Sequence, residues 1–311
     1  MGIKIEWNDE KKTVKLSQRA HIEKFLREFG FDPENVKKVR TPIPLNYEFK
    51  TNDGEKVPTS EWDYFKWVGF ANWLVTNTRP DFALVTNMCG RYSNNPSADH
   101  VKVQKHALRY LASTMDEGIT YHGSRDVLMT PYDHRCKLIG FVDSNYGVGN
   151  DTMCVSIMMN GGVIVNKVIK QRVVSTSTTH SESMALAAGV KEILWMSDFM
   201  KELGNEQGVV RLSGDNRSAN LQSTGDYKSS KSDHYRKIQF YVEDNVTNGV
   251  VWIDQIPTKE NIADIGTKQV APIEQFERLR DIMMGKTPLL FETEKVKDIK
   301  EGKYDDAIKK V

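Results

Sequence analysis

Leu138-Ile-Gly-Phe-Val-Asp143 is an apolar run of strand length that closes on a carboxylate. Such a run suits a strand buried on both faces, and an acidic residue at its end stands where the chain leaves the sheet. Downstream, Cys154–Met159 and Val163–Ile169 are two further β-rich runs. A long helix then opens within Ser177-Thr-Thr-His-Ser-Glu182, and its Leu186, Val190, Ile193 and Leu194 repeat at the spacing of one buried face. A strand at Val209–Ser213, a helix from Asn216, a helix over about Asp233–Asn245, a strand at Val250–Ile256 and a short helix near Ile262 complete the pattern. Strands interleaved with helices after an opening meander predict an α/β (α+β) unit, a mixed sheet covered by helices.

Upstream of this unit the pattern differs. Ile3–Trp7 and Thr13–Leu16 alternate about a turn at Asn8-Asp9, which predicts a β-hairpin. Ser17 is the expected N-cap of a helix running to Phe29 and stopped by Gly30. Three helical stretches are expected at about Tyr64–Thr76, Pro80–Tyr92 and Asp99–Ala112, with Pro80 in a first turn and Ser97 or Asp99 as a cap. A short strand at Gly118–Tyr121 and a polar stretch from Ser124 to His134 mark the expected boundary. The domains expected are therefore residues 1–125, 134–270 and a charged tail over 271–311.

With 43 Lys and Arg against 42 Asp and Glu, the formal charge of +1 argues against a strongly basic, salt-driven nucleic-acid grip. Cys89, Cys136 and Cys154 form no CxxC pair, so neither a disulfide framework nor a zinc site is expected. The chain opens without a secretory signal pattern and holds no apolar run long enough to span a membrane. An intracellular protein, cytoplasmic or nuclear and away from membranes, is the expectation.

Four carboxylates stand at element ends: Asp143 after its strand, Glu182 in the first turn of the long helix, Asp215 after Val209–Ser213, and Asp264 beyond the last strand. Convergence of such groups can hold hard divalent cations, which take oxygen ligands and can clamp a phosphodiester displacement in pairs. Each also has a structural reading. Thr179-x-x-Glu182 fits a capping box, Asp215 fits an N-cap, Asp264 fits the positive end of a helix dipole, and Asp143 fits a turn. Spacing alone leaves both readings open.

Longer strings around these residues resemble copia-type retrotransposon Pol polyproteins. Asn160-Gly-Gly, Lys167-x-x-Lys-Gln171 and Ser177-Thr-Thr-x-x-Glu182 follow the family's glycine turn, basic strand end and helix start. Phe141-Val-Asp-Ser-Asn145, Gly214-Asp-Asn-Arg-Ser-Ala219, Ser232-Asp-His234 and Ile256-Pro-Thr-Lys-Glu-Asn-Ile-Ala-Asp-Ile-Gly-Thr-Lys268 resemble further motifs of its ribonuclease H region. Thr78-Arg-Pro-Asp81, Ser93-Asn-Asn-Pro96 and Leu108-Arg-Tyr-Leu111 resemble the segment joining polymerase to nuclease, and Val14-x-Leu-Ser-Gln18 through Thr41-Pro42 the end of the polymerase. The resemblance runs over about residues 1–285.

It implies a five-stranded mixed sheet of the ribonuclease H type, preceded by a small, mainly helical thumb and connection region. It also implies metal-dependent cleavage of the RNA strand of RNA–DNA hybrids with two Mg²⁺ or Mn²⁺ ions. Asp143, Glu182, Asp215 and Asp264 would be the catalytic and metal-binding set. Lys170, Arg172, Asn216, Lys231 and His234 would contact nucleic acid, and other polymerase segments would be possible partners. The family's Tyr-x-Asp-Asp polymerase hairpin has no counterpart here, since Tyr304-Asp-Asp306 lies in the charged tail, so DNA synthesis by this chain alone is not expected. Asn145, Asn166, His180 and Arg236 depart from the family pattern without removing a carboxylate. Such departures leave two other readings open: an inactive nucleic-acid-binding or interaction module, and a decayed retroelement fragment.

Overall fold

The computed structural model describes residues 2–123, 136–147, 151–171, 175–223 and 236–289. Its first half holds strands β1 (Lys4–Asn8) and β2 (Thr13–Ser17), then helices α1 (Arg19–Glu28), α2 (Tyr64–Asn77), α3 (Ala83–Arg91) and α4 (Ala98–Ser113), and strand β3 (Gly118–His122). The three strands form one antiparallel sheet in the order β1-β2-β3. Ser17 does not cap α1. It stays in β2, opposite Lys4 and Gly118, and Gln18 takes the cap position without a side-chain cap bond. Ser97 does cap α4, accepting from the His100 N–H.

The second half holds β4 (Ile139–Asn145), β5 (Thr152–Met159), β6 (Gly162–Lys170), α5 (Thr178–Glu202), β7 (Val210–Gly214), α6 (Arg217–Ser223), α7 (Arg236–Thr247), β8 (Val251–Gln255) and α8 (Ile273–Met283). Strands β4 to β8 make the five-stranded mixed sheet, ordered β6-β5-β4-β7-β8. β4, β5 and β6 pair antiparallel as the meander predicts, whereas β4–β7 and β7–β8 are parallel. A parallel neighbour needs a crossover, and α5 supplies it.

Alternation along β4 sends its residues to two different cores. Leu138 and Val142 join Val155, Ile157 and Leu212 beneath the α5 face built from Leu186, Val190 and Ile193. The helix seats closely because two glycines leave room: a Cβ on Gly189 would lie 2.7 Å from Val142 Cγ1, and one on Gly140 2.8 Å from Leu212 Cδ1. Ile139 and Phe141 face the other way, into a core shared with Phe25, Trp67, Leu74, Phe82 and Leu111 of the helical first half. Of the three tryptophans at 62, 67 and 73, Trp62 and Trp67 are buried packing residues and Trp73 is exposed.

α8 lies within the stretch expected to be a charged tail. Phe276, Leu279, Ile282 and Met283 recur on one of its faces and enter the same core, and of the charged residues of α8 only Arg280 is buried with them. Beyond it, residues 290–311, including Tyr304-Asp-Asp306, lie outside the described residues, as does the expected boundary at 124–134.

A fully buried ion pair fastens the turn before α3. Arg79 Nε and Nη2 donate to the two carboxylate oxygens of Asp81 at 2.9 and 2.8 Å, Tyr110 donates to Asp81 Oδ2 at 2.6 Å, and Arg79 also reaches the Thr114 carbonyl and hydroxyl. With every strong group partnered, the Asp81 carboxylate stays below its ordinary pKa in spite of its burial. Asp81→Ala should cost about 3–5 kcal/mol in urea unfolding, because it strands a buried guanidinium. Arg79→Met with Asp81→Leu should cost less than that single change. A loss below about 1 kcal/mol for Asp81→Ala would show that the pair does not fasten the turn.

Candidate active site

The site forms where β4 and β7 end. Their parallel register matches Phe141 to Ser213, so two residues further on Asp143 and Asp215 stand side by side. Asp215 follows the end of β7, whereas Asp143 does not close its strand as expected but stays within β4, paired with Cys154 of β5. Asp143 is 2% exposed, and its Oδ2 accepts from the Thr267 hydroxyl. Beneath Asp215, Gln255 Nε2 donates to its carbonyl at 2.7 Å, and Asn220 ties Gln255 to the Gly214 carbonyl.

Glu182 comes from the start of α5. The cap there is Ser177, whose hydroxyl accepts from the His180 N–H at 3.1 Å. Thr179 is already inside the helix, so the Thr179-x-x-Glu182 capping box does not form. Glu182 is instead buried at 6% exposure and turned to the strand ends. One carboxylate oxygen each from Asp143, Glu182 and Asp215 lie within 4.8 Å of one another.

Asp264 stands beside this trio on a single-turn helix, Ile262–Gly266, and is 4% exposed. Asn261 caps that turn and also donates to the Val142 carbonyl at 2.9 Å, which moors the turn to β4 next to Asp143. Gly266 lets the turn approach, since a Cβ there would lie 2.4 Å from Cys154 Sγ. Lys268 Nζ lies 3.0 Å from Asp264 Oδ2 and 3.7 Å from Asp143 Oδ2, while Asp264 Oδ1 is buried without a hydrogen-bond partner.

Burial sets the electrostatics. It pushes Glu182 up to about 9, with further upward pressure from Asp143 and Asp215. It pushes Asp264 up to about 7, with Asp143 adding to the rise and Lys268 opposing it. Asp143 is raised by burial as well, against the pull of Lys268 and Thr267. Carboxyl groups crowded out of water resist carrying their charges together, and a divalent cation relieves that repulsion. The donors are all oxygen, as a hard cation requires, and the unpartnered Asp264 oxygen adds a further donor.

The residues expected to touch nucleic acid divide. Lys170 is exposed at the end of β6, whereas Asn216 Oδ1 accepts from the Ala219 N–H at 3.0 Å and so caps α6. Arg172, Lys231 and His234 lie outside the described residues. Of the departures from the family pattern, Asn166 accepts from Ser156 Oγ at 2.7 Å and donates to the Pro80 carbonyl at 3.1 Å, which joins the sheet to the helical half. The expectation from sequence omitted Asn261, Thr267 and Lys268. The four-residue step from Asp264 to Lys268 is the signal that could have found the lysine, because one helical turn brings such residues together.

No family model matches the chain. Over 288 residues it is 27% identical to the Retrovirus-related Pol polyprotein from transposon TNT 1-94 of Nicotiana tabacum, which covers 91% of this chain and 21% of that one. Over most of its length the chain resembles copia-type retrotransposon Pol polyproteins. It is also 24% identical over 265 residues to the Retrovirus-related Pol polyprotein from transposon RE2 of Arabidopsis thaliana, covering 81% of this chain and 17% of that one. A shorter likeness, 28% over 138 residues, is to Secreted RxLR effector protein 161 of Plasmopara viticola and covers 43% of this chain and 91% of that one. The chain thus spans about a fifth of the length of the Pol relatives. Among solved structures, RNase H1 from Halobacterium salinarum NRC-1 matches 41% of this chain and 90% of its own at 17% identity, with a TM-score of 0.33. Among the described residues, no helix is long and apolar enough to cross a membrane.

The raised Glu182 carboxyl predicts a pH dependence. Folded, it keeps its proton up to about 9, against an ordinary value of 4.5, so the native state binds more protons than the unfolded chain between those limits. Stability contributed by this group is complete at low pH and falls as pH rises through that window. In metal-free buffer, Glu182→Gln should therefore stabilise the protein by about 1–3 kcal/mol at pH 8, one pKa unit being worth about 1.4 kcal/mol. At pH 4 it should have little effect. Parallel stability profiles for parent and variant across this range would contradict the assignment.

Proposed function

We propose that this chain is a retrotransposon-derived, ribonuclease H-like endonuclease that hydrolyses the RNA strand of RNA–DNA hybrids with two divalent cations, Mg²⁺ or Mn²⁺. The observation that carries the reading is the meeting of Asp143, Glu182 and Asp215 oxygens within 4.8 Å at the strand ends. Buried carboxyls raised in pKa are costly to a fold, and a site that holds cations gives them a use. Asp143, Glu182 and Asp215 would hold one cation, and Asp143 with Asp264 the other. Bound there, such ions supply activation of water and stabilisation of the leaving 3′ oxygen.

The chain's own residues prepare the site. Thr267 fixes the Asp143 carboxylate by donating to Oδ2, and Asn261 holds the Asp264 turn against β4. Gly189 and Gly140 keep α5 close enough for Glu182 to reach the strand ends. Hydrolysis breaks the bond from phosphorus to the 3′ oxygen and leaves a 5′-phosphate and a 3′-hydroxyl, with no covalent enzyme intermediate. Lys170, exposed at the end of β6, would contact a phosphate backbone, and such a contact would position a duplex rather than read its sequence.

Asp143→Asn should abolish cleavage of an end-labelled RNA–DNA hybrid while leaving the fold intact, because the amide keeps the shape and loses the charge. Mg²⁺ should raise the melting temperature of the parent more than that of the variant, as expected of a ligand that binds only the folded state. Hybrid left uncut by the parent at every metal concentration, with no Mg²⁺-dependent shift, would favour an inactive binding module instead.

A further inference from the structure

All ion pairs made by the four carboxylates among the described residues run to one side chain, Lys268. Its position is imposed by the chain. Lys268 follows the Ile262–Gly266 turn, and its N–H donates to the Asp264 carbonyl at 3.1 Å, so the side chain folds back over the turn that carries Asp264. The ammonium therefore rests on the edge shared by Asp264 Oδ2 and Asp143 Oδ2, at 3.0 and 3.7 Å. Glu182 and Asp215 make no ion pair among the described residues.

The lysine is held but not enclosed. Its side chain is 38% exposed, and a groove of about 320 Å³ bounded by Tyr47, Phe49, Met88, Asn145 and Lys268 itself opens beside it. The stem can thus swing from the carboxylates into the groove without disturbing the core. A flexible four-carbon stem carrying a compact charge suits a removable counter-ion better than a planar guanidinium would.

We propose that Lys268 is a resident counter-ion of the site: its ammonium occupies the Asp143–Asp264 edge and must be displaced before a divalent cation can settle there. The inference rests on the metal-site reading above and divides that site into unequal halves. The edge made by Asp143, Glu182 and Asp215 takes a cation freely. The edge made by Asp143 and Asp264 takes one only in competition with Lys268. Lys268 is a positioning residue in this scheme, acting on how the site is charged before any substrate arrives.

The test is Mn²⁺ binding to the full chain, followed by calorimetry and by the paramagnetic signal of free Mn²⁺, with no substrate present. Wild type should bind one ion more tightly than a second. Lys268→Met should tighten the second by about tenfold or more, since a unit charge at this distance is removed from a poorly solvated site. Lys268→Arg should leave the second ion at least as weakly bound as in wild type. If Lys268→Met does not fold in metal-free buffer, Mn²⁺ should restore its fold, and a chain that stays unfolded with Mn²⁺ overturns the proposal. Unchanged or weaker binding of the second ion by folded Lys268→Met also overturns it, while leaving the metal-site reading in place. No Mn²⁺ binding by wild type would remove both.

Discussion

Three main-chain rungs, Ile139 with Arg211, Gly140 with Leu212 and Phe141 with Ser213, join β4 to β7 in parallel register. Shifting that pairing by one residue would turn Asp215 to the opposite side of the sheet from Asp143, because side chains alternate with a period of two. The register is held from both faces. Gly140 and Gly189 let α5 press on Val142 and Leu212, and the Asn261 amide binds the Val142 carbonyl. The same contacts that fix the register also fix Glu182 and Asp264, so the fold and the site are a single geometric problem.

Buried charge is handled in two opposed ways. Around Arg79 and Asp81 every strong donor and acceptor finds a partner, and the pair serves to pin a turn. Around Asp143 the like charges are brought together with, among the described residues, only Lys268 ion-paired to them, and carboxyl pKa values rise. A satisfied pair stabilises structure locally, whereas an undercompensated cluster stores a demand for positive charge. The helical half bears on this as well, because its core continues through Phe141 and Cys154 to the underside of the site.

The sheet's strands and the long helix were legible because their apolar runs are short, separate and strongly periodic. The carboxylates were legible as candidates because each sits at an element end, and the resemblance supplied the order in which they should meet. Their convergence was not legible from spacing, because it depends on the β4–β7 register, a contact between residues 72 positions apart. Ser17 ends β2 instead of capping α1, a difference hidden from the sequence because a serine ending a strand and one starting a helix look alike in a single chain. α8 was hidden by composition: its charged residues masked Phe276, Leu279, Ile282 and Met283. Thr267 and Lys268 escaped notice because a hydroxyl and an ammonium gain their meaning from the carboxylates folded against them.

Anomalous diffraction from crystals grown with Mn²⁺ would reveal whether the strand ends form a cation site. A strong anomalous peak should lie bonded to oxygens of Asp143, Glu182 and Asp215, at about 2.0–2.6 Å as hard cations bind oxygen. Crystals saturated with Mn²⁺ that show no peak among these three side chains would contradict such a site.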